Sequence, residues 1–286
     1  MSEPVTSETP LDEVELLRLQ LRLTKDLREA ARYLSPQQQR ILVDLYYQIQ
    51  DNRIRLANQL RHAREEPNAW LTVMGGLLAP QEKLVAGALH IAAKETAVGR
   101  WALSIYGIGP VLAAGLGAHI DMTKTPSVAG LWRLAGLDPT SVWEKGQKRP
   151  WNVQLKKIRW LISDSFVKFH NREECFYGHI YRARKQLEVQ RNEAGDFAAL
   201  AAQTLATKHY RDNDTKRVYE QGKLPPGRLE LRARRVAVKL FLSHYWEVAY
   251  YEHFGSIPPK PYVLAAFPET HTQFIAPPGY EHLQWA

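Results

Sequence analysis

Cysteine is almost missing from this 286-residue sequence, in which Cys175 stands alone. A single cysteine excludes an internal disulfide and a cysteine-based zinc site. Residues 1–9 lack the basic and apolar regions of a signal peptide, and no apolar run approaches the roughly 20 residues of a membrane span. We therefore expect a cytoplasmic protein that makes no membrane contact, and the sequence gives no sign of a cofactor or a metal site.

Strand signals are also scarce. Runs in which β-branched and polar residues alternate are missing, which argues against a sheet with an embedded nuclease site. Apolar residues instead recur at spacings of three and four, as in Leu16, Leu19, Leu23 and Leu27, which form one helical stripe. The predicted fold class is all-α, with helical arms around a central helix-hairpin-helix domain and a Pro-rich, extended C-terminal strap that lies on the helices.

Breaks in the helical pattern predict the organisation of the chain. Ser35-Pro36 marks a helix start, Gly255 marks a helix end, and we interpret Pro80 as the start of a third helix after the break at Gly75-Gly76. The predicted helices are 11–33, 36–64, one from 80, 173–194, 196–210 and 226–254, with a loop at 211–225; the first two are expected to form a hairpin. The predicted domains are 1–79, a helical hairpin arm; 80–172, a nucleic-acid-binding helix-hairpin-helix domain; 173–255, long basic helices; and 256–286, the strap.

The central domain contains the turn Tyr106-Gly107-Ile108-Gly109-Pro110. Gly107 and Gly109 allow positive φ and carry no Cβ, so N–H groups at the start of the following helix could approach a phosphate closely. Pro110 suits the first helical position, and Ile108 is expected to plug the turn into the core. Such a turn would contact a nucleic-acid backbone without reading its sequence. The alternative is a turn between two packed helices that binds nothing.

Positive charge is concentrated after this turn. The chain carries a net charge of +8, and residues 145–191, with 12 Lys/Arg and 4 Asp/Glu, account for the same net charge. Basic side chains interleaved with aromatics such as Trp143 and Trp151 are typical of surfaces that hold phosphates and stack on bases. The alternative is a solvated basic face over core tryptophans, and Trp160, beside Leu161-Ile162, is expected in the core. The candidate basic contacts are Lys145, Lys148, Arg149, Lys156, Lys157 and Arg159.

Three consecutive motifs carry a resemblance to a known family. They are residues 105–120 around the Gly-Ile-Gly-Pro turn, residues 125–139 with the ending Ala-Gly-Leu-Asp-Pro, and residues 152–160 with Asn-Val-Gln-Leu-Lys-Lys. Together they resemble the C-terminal helix-hairpin-helix domain of a class of insertion-sequence transposases, which carry an N-terminal RuvC-like nuclease domain with a DEDD carboxylate set. The resemblance implies DNA binding, and it makes Ser141 the candidate for the family's nucleophilic serine. The candidate nucleic-acid-binding residues are therefore Gly107, Ile108, Gly109, Trp151, Asn152 and the six basic residues.

This sequence departs from that family in two places. Its first 85 residues read as helices without a carboxylate set, and Glu144-Lys145 occupy the position at which the serine is expected. The leading hypothesis is therefore a non-catalytic, mainly sequence-tolerant DNA-binding protein, an accessory of a mobile element or phage, with RNA as the alternative ligand. One alternative is an active transposase or recombinase that uses Ser141 with a partner-supplied nuclease site. Another is a helical assembly protein that forms a homo-oligomer and binds no nucleic acid.

The remaining polar residues give weaker signals. His119 and Asp121 are interpreted as a helix end rather than metal ligands, and Cys175 as structural. His244, Glu247 and His253 are interpreted as a helix surface. A second basic stretch either contacts nucleic acid or pairs with the acidic residues Asp12, Glu13 and Glu15, and the sequence leaves this open. That stretch consists of Arg228, Arg232, Arg234, Arg235 and Lys239.

Overall fold

The computed structural model describes residues 21–63, 68–260, 265–266 and 274–283. Every regular element in these ranges is a helix, which confirms the predicted all-α class. The chain forms two compact units: unit 1 comprises residues 1–103 and 109–121, and unit 2 comprises residues 104–108 and 122–286. None of the helices in the described ranges is both long and apolar enough to cross a membrane.

Unit 1 is built around two long helices. Its helices are α1 (Lys25–Arg32), α2 (Pro36–His62), α3 (Ala69–Lys94), α4 (Ala97–Ser104, whose last residue belongs to unit 2) and α5 (Pro110–His119). Ser35 caps α2 as predicted, because its hydroxyl accepts the Gln38 N–H at 3.3 Å while the Gln38 side chain accepts the Ser35 N–H at 2.8 Å. The helices α2 and α3 pack along each other, and α5 packs against both.

The predicted start of the third helix is wrong. Asn68 caps α3 by accepting the Trp70 N–H at 3.0 Å, and the helix then runs through Gly75-Gly76 and Pro80 without a break. Packing explains this continuity: Leu56 of α2 lies 3.6 Å from the position that a Cβ on Gly75 would take, and Arg53 of α2 pairs with Glu82. These tertiary contacts outweigh the cost of an internal proline. The predicted boundary between residues 79 and 80 thus falls inside one helix.

The first predicted helix is only partly described. Residues 25–32 are helical, residues 21–24 are not, and Leu16 and Leu19 lie outside the described residues. The Thr24 hydroxyl caps α1 by accepting the Leu27 N–H at 3.3 Å. The long hairpin expected between the first two helices is instead formed by α2 and α3.

Unit 2 is organised around its longest helix. Its elements are a 3₁₀ turn (Met122–Lys124), α6 (Val128–Leu134), α7 (Val153–Lys168), α8 (Phe176–Glu193), α9 (Ala198–Thr207), α10 (Asp214–Glu220) and α11 (Pro226–Phe254). The helix α11 packs against α6, α7 and α8, and its buried Phe241 contacts the rings of Phe166 and Tyr177. It ends at Gly255, whose left-handed φ of 65° matches the predicted helix end.

Residues 211–225 form more than the predicted loop. Asn213 caps α10 by accepting the Lys216 N–H at 3.0 Å. Tyr219 of α10 then packs into a small cluster with Phe197, Leu224 and Leu229. A single buried aromatic in an otherwise polar segment gives almost no periodic signal, which is why the pattern suggests a loop.

Part of the predicted strap lies on α11. The His244 Nε2 donates to the Ile275 carbonyl at 2.7 Å, the Tyr280 hydroxyl donates to Glu252 at 2.6 Å, and Leu283 is completely buried. These contacts hold residues 274–283 against the helix. The strap residues Tyr262, Phe267 and Trp285 lie outside the described residues.

Candidate nucleic-acid interface

The Gly-Ile-Gly-Pro turn connects α4 to α5 and is held from within unit 2. The Ile108 N–H donates to the Ile105 carbonyl at 2.9 Å, and the Ser165 hydroxyl donates to the Gly107 carbonyl at 2.6 Å. Ile108 is buried, as predicted, so its side chain and its N–H are both engaged within the fold. Its assignment as a nucleic-acid-binding residue is therefore corrected: Ile108 supports the turn and does not face a ligand.

The two glycines of the turn serve different purposes. Gly107 has a φ of 94°, and a Cβ there would lie 2.9 Å from the Ser165 hydroxyl, so the backbone requires glycine. Gly109 has an extended backbone with φ −86° and ψ 174°, and no heavy atom lies within 4 Å of where its Cβ would be. The expectation of positive φ is thus right for Gly107 and wrong for Gly109.

Open space at Gly109 matters because it precedes the first turn of α5. The N–H groups of Val111 and Leu112 have no acceptor within the helix, as is general for a first helical turn. No side chain caps this end, since Gly109 has none to offer. An anion could therefore approach these N–H groups without steric hindrance from Gly109.

Asn152 fixes the start of α7, the helix that carries three of the candidate cations. Its side-chain oxygen accepts the Leu155 N–H at 3.0 Å, and its own N–H donates to the Leu134 carbonyl at 2.9 Å. One turn later the Lys156 ammonium lies 3.8 Å from the Trp151 ring centroid. Asn152 thus positions the basic residues that follow it.

The loop before α7 is shaped by Trp143. Its indole N–H donates to the Gln147 carbonyl at 2.7 Å, and the Arg149 guanidinium lies 5.1 Å from its ring centroid. Lys145 and Lys148 are exposed on this loop. The indole therefore closes the loop and holds one cation, and two further cations extend into solvent.

The second basic stretch divides into two groups. Three of its arginines bind acidic or polar partners: Arg228 contacts the Tyr219 hydroxyl at 3.0 Å, Arg232 pairs with Glu188 at 2.6 Å, and Arg234 pairs with Asp164 at 3.2 Å. Arg235 is exposed, and Lys239 lies 4.2 Å from the Trp132 ring centroid. The first group stabilises the fold, and the second carries charge that is available to a ligand.

Five cations from both basic segments lie close together, and we call them the cationic face: Arg149, Lys156, Arg159, Arg235 and Lys239. Partial burial lowers the pKa of Lys156, of Arg159 and of Lys239, and repulsion by neighbouring cations lowers it further. Arg235 repels Arg159 and Lys239, while Arg149 and Arg159 repel Lys156. Within the part of the chain that the structure describes, none of the five forms an ion pair with a carboxylate. Of the five, only Lys239 gains some electrostatic compensation, from the Asp138 carboxylate.

The structure does not bring the glycine turn to the cationic face. Gly107 contacts Ser165, which follows Lys156 by nine residues on α7. At 1.5 Å per residue, these two positions lie about 13 Å apart along the helix. The cationic face and the turn are therefore separate features.

The tryptophans of this region differ in their exposure. Trp160 is 46% exposed, which corrects the expectation that it lies in the core. Trp143 is 38% exposed, and Trp151 is half-buried beneath Lys156. Two indoles with solvent-accessible surface therefore lie among the basic residues.

Ser141 belongs to a hydrogen-bonded turn. Its hydroxyl donates to one oxygen of Asp138 at 3.1 Å, and the Thr140 hydroxyl and N–H donate to the other oxygen at 2.7 and 2.9 Å. These bonds, from Thr140 first and also from Ser141, lower the pKa of the Asp138 carboxyl. A carboxylate with a lowered pKa is a weak general base, so the geometry does not activate Ser141 as a nucleophile.

Of the three α11 residues expected on a helix surface, His253 is exposed, whereas His244 and Glu247 are buried. His244 and Glu247 are 1% and 2% exposed. Because a carbonyl can only accept, the His244 Nε2 carries the proton that binds Ile275, and Nδ1 accepts the Tyr177 hydroxyl at 2.8 Å. Burial lowers the pKa of His244 to about 4 and raises that of Glu247 to about 8, so both are neutral near pH 7.

Other candidate chemistry is limited in the described ranges. Cys175 is completely buried, and burial raises the pKa of its thiol, in agreement with a structural role. His119 lies partly buried, and burial lowers its pKa. Among the described residues, no three His, Cys, Asp or Glu side chains form a group that could hold a metal ion.

Comparison with known proteins found no relative. No protein-family model matches the chain, and neither a curated protein nor a solved structure matches it. Function is therefore inferred from the cationic face and its neighbouring indoles.

Proposed function

We propose that this protein binds DNA through the cationic face, without catalysis and with little dependence on base sequence. The observation that carries this proposal is the grouping of five cations around α7 and α11 without paired carboxylates in the described residues. Like charges held together repel one another and cost stability, by roughly 0.2–0.5 kcal/mol for each neighbouring pair on a helix surface. A polyanion such as the DNA backbone would remove this repulsion and release counterions.

The loop lysines would extend this contact, and the glycine turn, which is separate from the cationic face, would offer a second place for a phosphate. Lys145 and Lys148 project near the start of α7, and the open N-terminus of α5 offers N–H groups to a phosphate. Contacts of these kinds fix position on the backbone and carry no sequence information. The resemblance to a transposase C-terminal domain supports a role as an accessory protein of a mobile element or phage, and the turn that holds the Ser141 hydroxyl supports a non-catalytic one.

Salt dependence tests the proposal directly. We would measure the affinity of the full chain for a fluorescent duplex carrying an unpaired flap, between about 50 and 200 mM salt. The logarithm of the binding constant should fall with the logarithm of salt concentration, by about 0.9 for each phosphate contact. Affinity that does not change over this range would refute the proposal.

A pair of variants of equal charge separates local from general electrostatics. Lys148→Ala with Arg235→Ala removes two cations at or beside the cationic face, and Lys208→Ala with Arg211→Ala removes two exposed cations elsewhere in unit 2. The first pair should reduce the salt slope by about one for each phosphate that is no longer neutralised, and the second should change it little. Equal reductions in both would show that the cationic face is not the binding site.

A further inference from the structure

Trp160 is an exposed aromatic residue on α7, the helix that carries Lys156 and Arg159. Nearly half of its surface is accessible, at 46%, although its neighbours Leu161 and Ile162 turn toward the core. Lys156 and Lys157 precede it by four and three residues, and side chains at these spacings are neighbours on a helix. The Arg234 guanidinium lies 5.9 Å from the Trp160 ring centroid, and an indole left in solvent beside a cation forgoes the hydrophobic stabilisation that burial would give it.

Trp143 places a second accessible indole beside the same cations. It is 38% exposed, it carries Arg149 at 5.1 Å, and Arg149 in turn repels Lys156. The two remaining tryptophans of this region, Trp132 and Trp151, are half-buried under Lys239 and Lys156. All four indoles thus lie beside a cation, and two of them, Trp143 and Trp160, keep ring surface that a ligand can reach.

Flat aromatic surface next to phosphate-binding cations favours an unpaired strand over a duplex. In a duplex the bases stack on one another, and only their edges are accessible from the grooves. In a single strand each base has a free face that can stack on an indole, whatever its sequence, while the backbone follows the cations. An indole on a purely duplex-binding surface would gain no such contact.

We propose that the cationic face binds an unpaired DNA strand, whose bases stack on Trp160 and Trp143 while its phosphates contact Lys156, Arg159 and Arg149. This inference rests on the proposed function and specifies the form of DNA that the site takes. An acidic protein segment is the other ligand that such a surface could attract, but it carries no row of flat rings to match the indoles.

The test uses the full chain and two probes of mixed sequence, a single strand and the matching blunt duplex, at one salt concentration. Wild-type protein should bind the single strand more tightly. Trp160→Leu should weaken single-strand binding about tenfold, equivalent to about 1.4 kcal/mol, and should leave duplex binding unchanged. Trp70→Leu, which replaces a 71% exposed indole in unit 1, is the matched control and should change neither.

A second measurement guards against misfolded variants. Single-strand binding should quench tryptophan fluorescence, and Trp160→Phe, which keeps an aromatic face, should retain most of the affinity that Trp160→Leu loses. Equal binding of both probes with no effect of Trp160→Leu would overturn this inference while leaving the proposed function standing. Salt-insensitive or undetectable binding of both probes would overturn the two together. Displacement of the single strand by poly-glutamate at equal charge, unaffected by Trp160→Leu, would favour an acidic protein partner instead.

Discussion

Arg232 pairs with a carboxylate that has no access to solvent. The Glu188 side chain is 0% exposed and accepts bonds from Arg232 Nε at 2.6 Å and Arg184 Nε at 2.8 Å. The Arg232 guanidinium also lies 4.7 Å from the Phe197 ring centroid. Removing one partner of a buried ion pair costs about 3–5 kcal/mol, and Arg184 would retain part of the compensation here. We therefore predict that Arg232→Ala lowers the free energy of unfolding by about 2–3 kcal/mol.

The assay is urea denaturation at pH 7, followed by far-UV circular dichroism, with Arg235→Ala as the control. Arg235 is exposed and unpaired within the described residues, so its replacement should change stability by less than about 0.5 kcal/mol. Once both variants are folded, Arg235→Ala should lower the DNA affinity more than Arg232→Ala does. A smaller loss of stability in Arg232→Ala than in Arg235→Ala would refute the division of the basic stretch into structural and ligand-facing residues.

The pH dependence of the Arg232→Ala effect follows from the same ion pairs. Burial alone would raise the pKa of the Glu188 carboxyl, but the bonds from Arg232 and Arg184 lower it below its usual range. Because the folded pKa lies below the unfolded one, this stabilisation is present above the unfolded pKa and is lost as pH falls through the folded pKa. The difference in stability between wild type and Arg232→Ala should therefore shrink in acid, and a difference that grew on acidification would contradict the assignment.

Three further predictions address the turn and the buried acids. Gly109→Asp and Gly109→Asn should stabilise α5 to a similar degree, because both side chains can cap a helix end that has open space around it. Only the aspartate should repel a phosphate, so the ratio of the two DNA affinities measures the contact between the phosphate and the α5 N-terminus. A ratio of one would exclude that contact. Burial raises the pKa of Glu247 to about 8, so between about pH 4.5 and 8 the folded state holds a proton that the unfolded state releases. The free energy of unfolding should therefore fall over this range as pH rises, by up to about 1.4 kcal/mol per pH unit. Glu247→Gln should remove this pH dependence in denaturation curves, and an unchanged dependence would assign it to another group. Ser141→Ala should leave DNA affinity unchanged, and a covalent protein–DNA adduct that disappears in this variant would establish catalysis instead.

Local signals in the sequence predict several helix ends well. Ser35-Pro36 and Gly255 act through their own backbone and side-chain chemistry, so their effect can be read without knowing what packs nearby. Pro80 and Trp160 depend on the surroundings. Pro80 stays helical because α2 packs along α3, and Trp160 stays exposed although the next two residues are apolar. The surroundings of Pro80 and of Trp160 cannot be inferred from the residues next to them in the sequence.

The candidate site shows the same division. The segment from Lys145 to Arg159 stands out by charge density and interleaved tryptophans, which are visible in the sequence. Arg228, Arg232, Arg235 and Lys239 follow spacings of four, three and four, so periodicity puts all of them on one stripe of α11. The difference between them comes from residues distant in the chain: Glu188 pairs with Arg232, whereas Arg235 repels the like charge of Arg159. Helical periodicity therefore predicts that these four side chains share one stripe of α11, but the charges that lie opposite them are known only from the tertiary structure.

The interrupted course of unit 1 along the chain has a consequence for synthesis and for dissection of the protein. Residues 104–108 belong to unit 2 although residues on both sides belong to unit 1, and α5, which packs on α2 and α3, follows that interruption. During translation, unit 1 therefore lacks one of its packing helices until residue 119, the end of α5, has left the ribosome. A fragment ending at residue 79 would cut α3, and one ending at residue 103 would leave apolar surface that α5 normally covers. Residue 119, at which α5 ends, is the first position at which the amino-terminal part of the chain contains every described helix of its own unit.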